Sequence, residues 1–348
     1  MRCGDGDDHL VSLHMLTVTA DNPAKEALLN LKSTACGICE QEPVFMDNVA
    51  GMASIATFPY LQPPAQIRTP ASLLADATRA LDGDLEEAHG IHGPTPLMLI
   101  NDVDPVMPID YSHNVCLRVV AKSLTLWFDP KHKDEPWSAH GHLAQFDLLM
   151  TNVRPPSFIT RPPRPYSSHA GHWKAVEFRA FLLYYGPIVL RGILKEGQYR
   201  HFLLLSCGVA LLLGRSITPA QLQQADLMLK EYVRRFPQLY HQRFMSRTIH
   251  SLIHLALCVR KTGPLWVASC FPFESVYHYV RLLIHGTRFV LQQVGFILFS
   301  FSVFFFYLFL SLFFIYFILI LILIFLLRCS FVTRGTSSGR SGCSHRGV

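Results

Sequence analysis

Residues 250–274 read HSLIHLALCVRKTGPLWVASCFPFE, and the interpretation of the whole chain depends on this stretch. It begins with two histidines four residues apart, His250 and His254, and it ends with a single carboxylate, Glu274. Side chains four residues apart lie on the same face of a helix. An apolar segment that keeps two imidazoles at this spacing predicts half of a metal site.

A Cys-x-x-Cys pair can supply the other half. Cys36 and Cys39 occur in the sequence CGIC, whereas the other cysteines are scattered along the chain. The first residues show no signal-peptide pattern, so we expect a reducing compartment, where such a pair binds metal or acts in redox chemistry. Cys36, Cys39, His250 and His254 together would form a tetrahedral zinc site. Each half is common by chance, so unrelated thiols and histidines remain the alternative on the residues alone.

Two carboxylates occupy positions that predict helix starts. Residues 10–20, LVSLHMLTVTA, predict a buried strand, and the following DNPAKEALLNLK predicts a helix capped by Asn22. Asp21 would then lie at a strand-to-helix junction, where functional side chains collect in α/β sheets. Helix capping is the alternative for Asp21. For Glu274 the alternative is a first-turn position that the helix dipole favours.

Helical periodicity dominates the middle of the chain. Residues 109–128 and 172–262 carry apolar positions three and four apart, and we expect mostly buried helices there. Residues 60–75 and 152–166 are rich in proline and predict extended loops.

The C-terminal part has a different composition. Residues 295–327 contain no charged side chain and predict a helix long enough to span a bilayer. The chain would then be a tail-anchored membrane protein with a helical interaction domain. The abrupt change equally fits translated non-coding sequence. Of the 31 Lys and Arg, four lie beyond residue 295 with none of the 25 acids, so 27 bases face 25 acids before it. Bulk charge therefore gives little support for nucleic-acid binding.

Several sequence blocks between residues 10 and 294 occur in the order found in one family. The chain resembles the CACTA (En/Spm-type) transposases and transposase-derived proteins. The blocks that carry this resemblance are ADNPAKEALLNLKSTACGICEQ, GIHGPTPLMLI, PIDYSHNVCLRVVAKSL, HWKAVEFRAFLLYYGPIVLRGIL, TIHSLIHL and GPLWVASCFPFES.

The resemblance implies a DDE catalytic region that cleaves and joins DNA with two Mg²⁺ ions. Asp21 matches the second catalytic Asp and Glu274 the Glu, and the zinc is implied on Cys36, Cys39, His250 and His254. The family's first Asp lies on an earlier strand, upstream of residue 1, so we expect a truncated, inactive protein. The alternative is a non-enzymatic DNA-binding remnant. Asp110 and His113, in the DYSH block, receive no role.

The expected fold is α/β with a large all-α insertion: a partial RNase H-like core that lacks its first strands, followed by a C-terminal transmembrane-like segment. DNA is the expected partner. The expected location is the membrane through residues 295–327, or the nucleus if that tail is not part of the protein. The predicted domains are 1–31 (core strand and helix), 32–249 (helical insertion), 250–294 (His pair and Glu helix), 295–327 (apolar segment) and 328–348 (Arg, Ser and Gly-rich tail).

Overall fold

The computed structural model describes residues 18–47, 54–83, 86–99, 107–159 and 161–282, with single positions between 284 and 299. The chain divides into two compact units, Met1–Pro272 and Phe273–Val348.

The described residues are mostly helical. The α-helices are α1 (Asn22–Leu29), α2 (Pro70–Leu81), α3 (Ala121–Phe128), α4 (Leu143–Asn152), α5 (Tyr166–His169), α6 (Ala175–Ala180), α7 (Gly186–Val189), α8 (Glu196–Leu212), α9 (Pro219–Tyr240), α10 (Arg247–His250), α11 (Leu255–Thr262) and α12 (Phe271–Leu282). Two segments are π-helical, Ser112–Val120 and Phe181–Tyr185. Short 3₁₀ turns cover Pro96–Leu99, Pro130–His132, His140–His142, Ala170–His172, Gln242–Phe244 and Ser251–His254.

The prediction of an RNase H-like α/β core is wrong. Among the described residues the strands are β1 (Val44–Met46) and β2 (Ile55–Thr57), which pair antiparallel. Of the strand predicted over residues 10–20, residues 18–20 are not in a strand and residues 10–17 lie outside the described part. An apolar run does not define a strand by itself, because a strand is stable only when it pairs with neighbouring strands. The hairpin of β1 and β2, with three residues in each strand, is too small to provide the sheet of an RNase H-like core.

Helices occur where the periodicity predicts them. The longest pair, α8 and α9, packs side by side. α9 begins with a capping box: the Thr218 hydroxyl accepts the Gln221 N–H, and the Gln221 side chain accepts the Thr218 N–H. Pro219 follows at the first helical position, where its missing N–H has no cost. Residues 172–262 therefore form the helical body that the sequence predicts.

The buried apolar side chains form two clusters. The smaller core consists of Leu29, Leu31, Ala35, Leu73, Ala77, Ile91 and Met107. The larger core contains the inward faces of the helices from α3 to α11 and reaches back to Cys36, Cys39 and Phe58. Ala35 belongs to one cluster and Cys36 to the other, so the Cys-x-x-Cys loop lies at their junction.

The prediction of a membrane-spanning helix, and with it the membrane localisation, is corrected. Nowhere in the described ranges is a helix both long enough and apolar enough to cross a bilayer. The predicted span, residues 295–327, lies outside the described residues except for Gly295 and Phe299.

Candidate metal centre

The four predicted zinc ligands come together. Cys36 and Cys39 lie in the loop after α1, His250 is the last residue of α10, and His254 ends the following 3₁₀ turn. All four side chains are buried, and their ligand atoms all lie within 4.8 Å of one another. The group could hold a metal ion such as zinc.

The distances fit a tetrahedral ion. His250 Nε2 lies 3.3 Å from His254 Nε2 and 3.3 Å from Cys39 Sγ. Two nitrogens each ~2.0–2.1 Å from a tetrahedral zinc are ~3.3–3.4 Å apart. A sulfur at ~2.3 Å and a nitrogen at ~2.0–2.1 Å are ~3.5 Å apart around the same ion. The imidazole planes meet at 77°, and all the ligand atoms of the group lie within 4.8 Å of one another.

The histidine pair differs in backbone from the prediction. His250 and His254 do not share one continuous α-helix, because the residues between them form the 3₁₀ turn Ser251–His254. A 3₁₀ helix has three residues per turn, so positions four apart are offset around its axis. The two Nε2 atoms still lie 3.3 Å apart, with the rings edge-on to each other.

The two thiols differ in their pKa. A hydrogen bond from the Cys39 thiol holds the pKa of Cys36 well below its usual value, and the imidazoles of His250 and His254 lower that pKa further. The same hydrogen bond, together with burial, raises the pKa of Cys39. Of the two thiols, Cys36 is therefore the more acidic. A bound zinc needs both sulfurs deprotonated, so its binding would release the proton held by Cys39.

A buried arginine, which the sequence analysis missed, holds the Cys-x-x-Cys loop. Arg68 Nε donates to the carbonyl oxygens of Cys36, at 3.0 Å, and of Cys39, at 3.1 Å. Its side chain is 1% exposed and lies 3.5 Å from the Asp76 carboxylate. Burial lowers the pKa of Arg68. A lone arginine in a proline-rich stretch resembles a solvated loop residue, so no local signal marks it.

Contacts on the histidine side join α10 to the same loop. The Phe58 ring stacks on the His250 ring with 5.0 Å between centroids. Arg247 donates to the Ala35 carbonyl oxygen at 3.2 Å and to the Glu26 carboxylate at 2.6 Å. Hydrogen bonds from Arg68 and Arg247 therefore fix the backbone of the ligand loop, and a ring contact packs against His250. Such contacts around the ligands help to preorganise a metal centre.

Asp21 is a helix cap. Its Oδ1 accepts the Ala24 N–H at 3.0 Å, so Asp21, and not Asn22, is the N-cap of α1. The reason is backbone geometry: Asp21 is extended, whereas Asn22 already belongs to the helix. One of the oxygens expected to bind Mg²⁺ thus satisfies a helix N–H.

Glu274 lies in the first turn of α12 and is exposed. It belongs to the unit Phe273–Val348 and Asp21 to the unit Met1–Pro272, so the predicted approach of their carboxylates stays a prediction. Neither residue belongs to a group of three or more metal-binding side chains among the described residues. Mg²⁺ prefers several oxygen ligands, and the described part of the chain offers it no such set.

A second cluster of polar residues is centred on Asp110, to which the sequence analysis assigned no role. Asp110 is buried and accepts the Cys270 N–H at 2.9 Å, the His113 N–H at 3.0 Å and the Ser112 hydroxyl at 2.8 Å. Burial alone would raise the pKa of Asp110, but these hydrogen bonds outweigh it and the pKa lies below its usual value. Asp110 thus caps the segment Ser112–Val120 and ties it to the residue before α12.

The comparisons with known proteins add no relative: neither a protein-family model nor a curated protein matches the chain. The resemblance to CACTA transposases therefore stays a prediction.

Proposed function

We propose that this chain is a transposase-derived protein that binds DNA without cutting it, and that a structural zinc on Cys36, Cys39, His250 and His254 holds its helical fold together. One observation carries the zinc part of the proposal, whereas the DNA part is supported by the resemblance to transposases alone. Ligands separated by 211 residues, Cys39 and His250, meet in a buried group with tetrahedral spacing. Thiolates and imidazoles at such distances are a zinc donor set, and four protein ligands leave no open position for a substrate.

The zinc would act on the fold rather than on a substrate. It would join the start of the helical part to its end, which without a clip requires closure of a long loop. Bound zinc would also neutralise the buried Cys36 thiolate, which is otherwise costly in an apolar surrounding.

The arrangement of the carboxylates is the reason for proposing that the chain does not cut DNA. Two-metal strand transfer needs carboxylates that hold two ions ~3.5–4 Å apart. Among the described residues Asp21 caps α1, and the buried Asp110 accepts several N–H and O–H donors. Neither is arranged as part of an oxygen-rich metal site.

Zinc content tests the proposal directly. We expect about one zinc per full-length chain, purified in a mild non-ionic detergent, and loss of that zinc in Cys36→Ser and His254→Ala, because three ligands hold it far more weakly. His142→Ala, at an exposed histidine, is the matched control and should keep the metal. Zinc that remains in both ligand variants would contradict the site.

The DNA part of the proposal needs its own readout on the same preparations. Binding of the full-length chain to labelled DNA should weaken as salt rises, because counterions are released on binding. Supercoiled plasmid with Mn²⁺ should stay uncut. Nicking that disappears in Glu274→Gln would show that the chain is an enzyme.

A further inference from the structure

A surface cavity away from the metal centre combines aromatic rings with arginines. It has a volume of about 300 Å³ and is lined by Phe158, Ile159, Arg161, Val176, Arg179, Ala180 and Tyr184. That volume is at the lower end of the range for small-molecule sites, roughly 300–1,000 Å³. No step of the proposed zinc function uses these residues.

The aromatic rings of the cavity face solvent. Phe158 is 66% exposed and Tyr184 is 42% exposed. Their rings meet edge to face, with 5.8 Å between centroids and 65° between planes, so stacking between them leaves a ring face uncovered. Exposed aromatic rings at a concave surface are stacking platforms for planar ligands.

The charge around the cavity is positive. Arg164 binds Glu177 through two hydrogen bonds, at 2.7 and 2.8 Å, and so neutralises that carboxylate. Arg161 lies farther from Glu177, at 3.8 Å, and is exposed. Arg179 is exposed as well. The sequence carries no acid between Asp147 and Glu177. Both guanidinium groups are on exposed residues, and the ion pair of Arg161 with Glu177 is the longer of the two that this carboxylate makes with Arg161 and Arg164.

Two of the residues that line the cavity, Tyr184 and Arg179, have further structural features. Tyr184 belongs to the π-helical segment Phe181–Tyr185, a geometry that is rare in proteins and frequent at functional sites. The Arg179 guanidinium lies over the Phe271 ring, 5.9 Å from its centroid. That contact holds the arginine at the rim of the cavity.

We propose that Phe158, Tyr184, Arg161 and Arg179 form a site for an unpaired nucleotide of a single-stranded nucleic acid. The base stacks on the aromatic pair, and the guanidinium groups contact the neighbouring phosphates. An intact duplex fits poorly, because its base faces are already stacked on each other. The inference specifies how the chain holds nucleic acid and in that respect rests on the proposed function; it does not depend on zinc.

Fluorescence anisotropy on the full-length chain tests the site. The probes are an oligodeoxythymidine and an oligouridine of about 12 nucleotides, a length within known single-strand site sizes, and a duplex of equal length. We expect tighter binding of the single strands than of the duplex. Phe158→Ala and Tyr184→Ala should each weaken single-strand binding by about 5- to 100-fold, the range found for loss of one stacked base. Comparison of the two single strands shows whether DNA or RNA is preferred.

Salt dependence separates the arginines from the rings. Arg161→Ala should reduce the slope of log affinity against log salt by about 0.7, the value for one phosphate contact on a single strand. Phe158→Ala should leave that slope unchanged. The matched controls are Phe45→Ala, whose ring is 56% exposed on β1, and Arg215→Ala, an exposed arginine elsewhere. Both controls should bind as the unmodified chain does.

A cross-link locates the contact independently of affinity. Light-activated 5-iodouracil in the oligonucleotide should attach to Phe158 or Tyr184 when the peptides are analysed by mass spectrometry. Unchanged binding by both aromatic variants would overturn the site, as would cross-links elsewhere only. Binding of duplex but not of single strands would overturn the site and leave the DNA-binding proposal standing. Binding of no nucleic acid would overturn both.

Discussion

Arg68 shows how much one side chain decides at the residue scale. A guanidinium can donate several hydrogen bonds in a fixed plane, and Arg68 uses them on the carbonyl oxygens of Cys36 and Cys39 and on the His89 carbonyl oxygen. Arg68 also forms an ion pair with the buried Asp76 carboxylate. The ligand loop is therefore shaped before any metal binds.

Arg68→Met should destabilise the protein by roughly 3–5 kcal/mol, because it removes the buried cationic partner of the Asp76 carboxylate and the donor to two carbonyls of the ligand loop. Zinc affinity should fall about 10- to 100-fold, as it does when an outer-shell partner is lost. The measurements are denaturant unfolding and competition with a zinc chelator.

Arg79→Met is the matched control for Arg68→Met. Arg79 also pairs with Asp76, but its side chain is 48% exposed. Asp76 is buried, but water still solvates the Arg79 side of this pair, and Asp76 keeps Arg68 in the variant. The loss should therefore be closer to the roughly 0–1 kcal/mol of a surface ion pair than to the loss in Arg68→Met. Equal losses in the two variants would show that Arg68 has no special part in the ligand loop.

At the scale of elements, the α8–α9 pair encloses a histidine. His201 on α8 is buried, stacks on Tyr232 of α9 with 4.0 Å between ring centroids, and donates from Nε2 to the Tyr232 carbonyl oxygen at 2.8 Å. Burial lowers the pKa of His201 from 6.5 to about 4. The helix pair therefore requires this imidazole to be neutral.

The pH dependence of stability follows from the pKa of His201. Below pH 6.5 the His201 imidazole becomes protonated in the unfolded chain but stays neutral in the folded chain. Protonation therefore favours the unfolded state, and the stability present at neutral pH is lost as the pH falls from about 6.5 to about 4. The loss should reach about 3 kcal/mol, from about 1.4 kcal/mol per pKa unit. Denaturant unfolding between pH 7 and pH 4 measures it.

His201→Gln should flatten this pH profile, whatever its effect on stability at neutral pH. All other ionisable groups are the same in both proteins, so their contributions cancel when the pH profile of the variant is subtracted from that of the unmodified chain. His142→Gln, at an exposed position, should keep the steep profile. A profile for His201→Gln as steep as that of the unmodified chain would refute the assignment.

At the scale of the molecule, the candidate metal centre lies at the junction of the smaller and the larger core. The α8–α9 pair packs entirely within the larger core. Arg247 of α10 also binds the Ala35 carbonyl oxygen in the ligand loop and the Glu26 carboxylate, and Phe58 stacks on His250. Zinc would therefore stabilise the junction more than the helical body.

Zinc removal by a chelator should loosen the junction first. Hydrogen exchange followed by mass spectrometry should become faster in α1, in the loop at Cys36 and Cys39, and in α10, whereas α8 and α9 should stay protected. Local opening of this kind costs less than global unfolding. Uniform loss of protection, or none, would contradict a zinc confined to the junction. Added zinc should restore the original exchange.

The sequence by itself determined the ligand types at the metal centre and the helical character of the middle of the chain. Cys36, Cys39, His250 and His254 are recognisable because few residue types bind zinc and their local spacing is short. The helices of residues 172–262 are recognisable because their apolar periodicity is a local property.

Only the tertiary structure decided the rest. It replaced the expected α/β core by helices and a small hairpin, because a sheet depends on which distant segments pair. It made Asp21 the cap of α1, because capping depends on backbone angles. It placed Arg68 under the ligand loop and brought Phe158 beside Tyr184, contacts between residues far apart in the chain. No local pattern encodes such contacts, because they arise only when the cores pack.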